Sequence, residues 1–179
     1  MDELQTERLQ LRALTFDDAG FILRLVNEPS YLKYIGDKNV RTLDDARAYI
    51  EHGPMASREA HGFALDRVEL RASGQPIGIC GLLKREALDD VDVGYAFLPE
   101  FWSCGYASEA VGAVLANAKS RFGLTRVAAV VSSDNAGSVR LLEKLGFQYQ
   151  RMIRLHEGEP GVRLYVLGLQ RNKEACGAP

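Results

Sequence analysis

From Glu7 to Leu14 the chain alternates, with Leu9, Leu11 and Ala13 set against Arg8, Gln10 and Arg12. A period of two marks a strand with one buried face. The period then lengthens. Phe16, Ala19, Ile22, Leu23 and Val26 recur at helical spacing, and Thr15 with Asp18 three residues on is the signature of a capped helix start. Thr42 and Asp45 repeat that signature ahead of Ala46, Tyr49 and Ile50. A second helix is therefore predicted, ending near His52-Gly53-Pro54 because the residue before a proline resists helical geometry. Between the two, residues 29–39 read as loop or short helix.

Residues 62–70, 76–86 and 90–98 read as three strands, joined by turn signals at Ser73-Gly74-Gln75 and Leu88-Asp89-Asp90. An antiparallel meander is their simplest layout. Ala107, Ala110, Val111, Val114, Leu115, Ala118 and Phe122 then mark one face of a helix over 106–122. A strand at 126–132, a helix at 136–145 and strands near 147–156 and 161–169 follow, the last two turned by Glu157-Gly158-Glu159-Pro160-Gly161. The order β-α-α-β-β-β-α-β-α-β-β predicts an α/β fold on a mixed sheet. Residues 1–170 are expected to form one domain, and 171–179 a disordered tail.

Composition narrows the partners. The chain has 179 residues, a net charge of -2 and a pI near 6.0, so no overall basic field draws it to nucleic acid or an anionic membrane. It contains no apolar run of roughly eighteen residues, and its start, Met1-Asp2-Glu3, is acidic and unlike a signal peptide, so a cytoplasmic location is expected. Cys80, Cys104 and Cys176 are odd in number and widely spaced, which suits reduced thiols. His52, His61 and His156 show no ligand spacing with them, so no metal is expected.

The candidate chemistry begins where the strand Val91 to Leu98 gives way to Trp102-Ser103-Cys104-Gly105-Tyr106-Ala107 and then to a helix. The first turn of a helix has unpaired N–H groups and the positive end of the dipole, which makes this turn an anion site. A glycine there also serves simple backbone freedom. A second segment, Asn135 to Phe147, follows the apolar run Arg126 to Val131 in the same strand, turn, helix order. Gly146 is placed to cap that helix, with Phe147 folding back on it.

Together these segments resemble the acyl-CoA-binding core of the GNAT superfamily of N-acetyltransferases, whose first motif reads Arg/Gln-x-x-Gly-x-Gly/Ala. Gly105 and Ala107 match, and Trp102 stands where Arg or Gln is usual. Trp102, Tyr106, Ala107 and Glu109, the Asn135-x-x-Ser138 element and Leu145-Gly146-Phe147 look most like the branch that includes ribosomal-protein alanine acetyltransferases. The start, Thr6-Glu7-Arg8-Leu9-Gln10-Leu11-Arg12, is similar to that branch's first strand. The resemblance covers about residues 6–169 and implies a mostly antiparallel sheet of about seven strands flanked by helices.

It also implies acetyl transfer from acetyl-CoA to an amine acceptor such as a protein N terminus or a small-molecule amine, by a monomer or a homodimer, with no metal. The pyrophosphate would lie on backbone groups of Ser103, Cys104, Gly105, Tyr106, Ala107 and Ser108. Members of this branch often carry Lys or Arg near this turn, so charge must come from elsewhere. Arg140 and Lys144 are candidates for the ribose phosphate, or a solvated helix face. The main chain of Phe97 and Leu98 would pair with the pantetheine arm like an added strand, and Asn135 would bond the same arm or cap its helix.

Asp92, where the branch often has Glu, lies on the strand face of Gly94 and Ala96 and would act as base through a water; it reads equally as part of an acidic turn with Asp89 and Asp90. Leu142 occupies the position of the usual tyrosine acid, which passes proton donation to Ser138, otherwise an ordinary first-turn residue. Cys104 is not read as a nucleophile, since no histidine is close in sequence. Acceptor choice would rest with residues 29–39, 42–52 and 156–161, and Tyr31, Tyr34, His61 and Tyr149 are candidates to line that site. The missing tyrosine and loop lysine leave a second reading, a non-catalytic acyl-CoA sensor or interaction module. A nucleotide-binding domain finds no support, because neither a Walker sequence nor Gly-x-Gly-x-x-Gly is present.

Overall fold

The structure, a computed structural model, describes residues 3–169, so the predicted tail at 171–179, Cys176 included, lies outside the described residues. Its strands are β1 (Leu4–Gln5), β2 (Leu9–Ala13), β3 (Leu65–Leu70), β4 (Pro76–Leu83), β5 (Asp92–Phe97), β6 (Arg126–Ser132), β7 (Gln148–Ile153) and β8 (Val162–Gly168). Its α-helices are α1 (Ala19–Val26), α2 (Pro29–Tyr34), α3 (Leu43–Ile50), α4 (Ala56–His61), α5 (Tyr106–Ser120) and α6 (Ala136–Lys144). The strands form one 8-stranded sheet in the order β1-β2-β3-β4-β5-β6-β8-β7. That is one strand more than expected. β1 pairs Leu4 with Leu11, and two residues are too few to show alternation.

The meander is present, with β2 to β5 each antiparallel to the next. One face of it carries Leu9, Leu11, Val68, Cys80, Val93 and Phe97 against the apolar stripe of α5, Ala110, Val111, Val114 and Ala118. The opposite face gives Ile79 and Ala96 to a second core built on Ile22, Leu25, Val26, Ala46 and Ile50 of α1 and α3. Strand alternation thus sends neighbouring residues of β5 into two different cores.

The predicted stop at His52-Gly53-Pro54 is not observed. α3 runs through a π turn at Glu51–Met55, with Pro54 buried inside it, and continues as α4 until Gly62 turns the chain at φ 79°. The wider turn accommodates a residue that has no N–H to give, so proline bends the helix here without ending it.

β5 and β6 are the parallel neighbours in the sheet, and their register holds a single pair, Asp92 with Ala128. Beyond it they diverge. β6 pairs with β8 along its whole length, from Arg126–Gly168 to Ser132–Val162, so the opening is confined to one seam.

Candidate active site

The seam exposes backbone in mid-sheet. Leu98 N donates to Ile77 O at 2.9 Å, which places Leu98, Ala96 and Gly94 in hydrogen-bonded register with β4. In an antiparallel pair the alternate residues then face the other way. Ala128 N bonds Val91 O at 2.9 Å, so the groups of Tyr95 and the Phe97 N–H open into the gap. Leu98 does not belong to this edge. Its N–H is taken by β4 and its carbonyl accepts from Phe101 N at 3.0 Å. The Phe97 carbonyl accepts from the Trp102 indole at 2.8 Å, which fastens the following turn to the strand.

At the mouth of the gap, Ser103 has φ 61° and Gly105 φ 83°. Gly105 is the N-cap of α5 and makes no side-chain cap, so the first N–H groups of Tyr106, Ala107 and Ser108 lack the capping partner that satisfies most helix starts. The turn is braced from a distant part of the chain. Arg8 Nη1 donates to Cys104 O at 3.0 Å, and Arg8 Nε and backbone N donate to Glu109 at 2.7 Å and 2.9 Å. The Thr6 hydroxyl also donates to Glu109, and the Arg8 guanidinium sits 4.5 Å from the centre of the Tyr106 ring. Burial pushes the Glu109 carboxyl up, but Thr6 and Arg8 together pull it below its ordinary value. Sequence reading missed Arg8, although Thr6-Glu7-Arg8 and Glu109 were both in view. Nothing in either segment says that they meet.

The far wall of the gap is α6. Asn135 Oδ1 accepts from Ser138 N at 3.1 Å, the helix-cap alternative, which leaves its amide N–H groups to donate. The Ser138 side chain faces the Tyr95 phenol across the seam, and burial, opposed by Ser138, raises that phenol to about 12. Tyr95 was also missed, because a β-strand tyrosine reads as core. Arg140 and Lys144 are exposed on α6 and make no ion pair among the described residues.

Behind the seam, on the face of α1 to α4, lies Asp92. It is 0% exposed; Arg85 Nε donates to its Oδ2 at 3.0 Å, while Oδ1 has no hydrogen-bond partner among the described residues. Burial raises its pKa, and Arg85 opposes the shift. The expected acceptor segments gather here. Tyr31 and Tyr49 both pack into the core of α1 and α3 and influence each other's phenol, with Arg85 acting on both. Of the four residues named for this region, only Tyr31 is in the cluster. Tyr34 is overlaid by Lys33, His61 stacks on Phe63 and Tyr149 lies edge-on to Tyr165. Among the described residues no group of His, Cys, Asp and Glu could hold a metal ion, and no helix is long and apolar enough to cross a membrane.

A parallel strand pair that splays beside an uncapped helix start is the arrangement of a GNAT acyltransferase. The match to the Acetyltransferase (GNAT) domain family spans residues 8–148, and the chain belongs to that family. It is 31% identical over 160 residues to the uncharacterized N-acetyltransferase YoaA of Bacillus subtilis, covering 88% of this chain and 89% of the relative. It is 27% identical over 178 residues to the uncharacterized N-acetyltransferase p20 of Bacillus licheniformis, covering 98% and 99%. Among solved structures, an acetyltransferase from Agrobacterium tumefaciens superposes with a TM-score of 0.80 at 22% identity, covering 93% and 94% of the two chains. RimL, a ribosomal L7/L12 α-N-protein acetyltransferase solved with coenzyme A, superposes at 0.75 with 15% identity over 93% and 98%, a likeness of fold. The protein is an acyltransferase of the family that uses acetyl-CoA.

Proposed function

We propose that the chain transfers acetyl from acetyl-CoA to a primary amine by direct attack in a ternary complex. The observation that carries this is the seam. It is open along Tyr95 and Phe97, ends at the uncapped start of α5, and has Asp92 on one side and Ser138 on the other. The N–H groups of Tyr106, Ala107 and Ser108 hold the pyrophosphate, with Ser103, Cys104 and Gly105 shaping the turn. Tyr95, the Phe97 N–H and the Asn135 amide bond the pantetheine arm. Asp92 receives the ammonium proton through a water, the amine forms its bond to the acetyl carbon, and Ser138 protonates the sulfur as the C–S bond breaks. Tyr95, protonated at neutral pH, restores the Ser138 proton from solvent.

Thiol release from acetyl-CoA across a panel of small amines and peptides tests the reading. Acceptor-dependent release supports it, whereas saturable acetyl-CoA binding with no release above background from any amine favours a sensor. Ser138→Ala is expected to lower kcat about 10- to 100-fold with little change in acetyl-CoA affinity. Tyr95→Phe should lower it less, and the double variant should be no slower than Ser138→Ala, because the two hydroxyls act in series.

Arg8→Ala is expected to raise KM for acetyl-CoA about 10-fold with kcat nearly unchanged, since the brace shapes the turn and not the reacting centre. Acetyl-pantetheine, which lacks the pyrophosphate, should show no such rise. Equal effects on both donors would mean that Arg8 supports the fold at large.

A further inference from the structure

Asp18 and Asp92 are the buried carboxylates among the described residues, and they are satisfied very differently. Asp18 accepts from Arg12 twice, from Arg67 and from the Thr15 amide. Asp92 accepts from a single side chain, Arg85 Nε at 3.0 Å on Oδ2, and its Oδ1 has no partner among the described residues. So little support for a wholly buried carboxylate is uncommon, because each unmet acceptor forfeits a hydrogen bond that water would have given.

The one donor is also held loosely. An arginine grips a carboxylate best through two parallel N–H groups. Arg85 uses Nε alone, and neither of its Nη groups hydrogen-bonds among the described residues. Its side chain is 36% exposed, so release from Asp92 returns it to water. The backbone around it is fixed. Lys84 Nζ donates to the Leu88 and Asp89 carbonyls at 3.0 Å each, Leu88 N donates to Arg85 O at 3.2 Å, and Leu88 packs against Ala128 and Leu164. Movement is therefore left to the side chain. While Arg85 is in place, Asp92 is 0% exposed and no acceptor reaches it.

We propose that Arg85 is a displaceable stand-in for the acceptor: its guanidinium occupies the cation position at Asp92 and yields it to the substrate's ammonium. This rests on the N-acetyltransferase reading and makes Arg85 the positioning residue that selects protonated amines. The exchange keeps the charge balanced, since one cation leaves as another arrives, and a buried carboxylate with none is costly. An ammonium has three donors and needs one for the water that links it to Asp92. That water meets Oδ1, the acceptor that Arg85 leaves open. Arg85 stays protonated in solvent, the ammonium passes its surplus proton through the water to Asp92, and acetyl transfer follows as above. An uncharged amine brings no cation to exchange. Of the other titratable groups that sense Arg85 or Asp92, Lys84 is held by its two carbonyls, and burial raises the Tyr31 and Tyr49 phenols, so neither changes charge near neutral pH. Lys38 is lowered, chiefly by burial.

At saturating acetyl-CoA, kcat/KM for the amine should fall at high pH along a limb that follows the amine's own pKa, about 8 for an amino-acid amide and about 10.4 for an alkylamine. A limb set by Lys38 would stand at one pH for every amine. With an alkylamine, Arg85→Gln should raise the plateau of kcat/KM about 10-fold, because the enzyme no longer waits for its open form. Guanidinium ion should compete with the amine in Arg85→Ala at concentrations that leave the wild type unaffected. A limb fixed in pH overturns the proposal, as does activity that rises through the amine's pKa, a folded Arg85→Gln enzyme with a plateau at or below wild type, or guanidinium that acts equally on both enzymes. If no amine gives thiol release, the enzymatic reading fails on its own account and NMR reads the displacement. With CoA bound, methylammonium should bring the Arg85 Nε–H, identified by its loss in Arg85→Gln, into fast exchange with water, and tetramethylammonium, which has no N–H, should not. An Nε–H that neither cation disturbs, or that both disturb alike, overturns it.

Discussion

Asp92→Asn is expected to lower kcat about 100-fold or more while the dissociation constant for acetyl-CoA changes by no more than about two-fold. Asparagine has the same shape and can still accept from Arg85 Nε, but it cannot take a proton. In the wild type, kcat/KM should rise with pH along a limb above the ordinary aspartate range, because burial raises Asp92 and the base works only when ionised. Arg85 pulls that pKa down, so Arg85→Gln should move the limb further up. Steady-state kinetics over pH, with thermal unfolding of each variant measured alongside, separate this from loss of fold. A well-folded Asp92→Asn enzyme with wild-type turnover would end the base assignment.

The largest stability effect should come from Asp18→Ala, with a loss of about 3–5 kcal/mol in urea unfolding at neutral pH. Arg12 and Arg67 stand directly opposite each other on β2 and β3. Asp18, only 1% exposed, separates them, accepting from Arg12 at 2.8 Å and 2.9 Å, from Arg67 at 2.6 Å and from the Thr15 amide at 2.9 Å. Removing the carboxylate leaves two guanidinium groups with Glu69 as their remaining carboxylate partner. Burial is the largest single influence on Asp18 and pushes it up. Arg12, Thr15 and Arg67 together outweigh it and hold the group at about 2. Its folded pKa is thus depressed, so the associated stability, about 2 kcal/mol, is complete above the unfolded value and fades as pH falls from about 4 toward 2. Asp18→Asn should flatten that part of the stability–pH curve. A cost below about 1 kcal/mol for Asp18→Ala would show that the arginines find other partners.

Much of this was legible in the sequence for identifiable reasons. Periodicity gave the strands and helices their places because each has a buried face, and the turn at 102–107 announced itself through Gly105 and the run that follows. The expectation of α3 stopping before Pro54 failed because a π turn can absorb a proline, and no residue type advertises that geometry. Arg12 looked solvent-facing opposite Leu11, yet it is only 24% exposed and its charge is met by the buried Asp18. The candidate site shows the same division. Asn135, Ser138 and Gly105 stand out by local spacing, whereas Arg8, Tyr95 and Arg85 acquire meaning only from what lies across the fold. Leu98 was misplaced by a single residue, since hydrogen-bond parity along β5 depends on the register with β4.

The seam between β5 and β6 also bears on how the protein survives between turnovers. It divides the sheet into a five-strand and a three-strand half joined by one register pair, and it leaves main-chain groups exposed that would ordinarily invite another chain to dock. On the proposed function, a donor lying in the opening would act as a temporary ninth strand. Its occupancy would therefore govern shelf life and resistance to aggregation along with rate, by mass action on the folded form, so the apo protein is the one to handle cold, dilute and briefly.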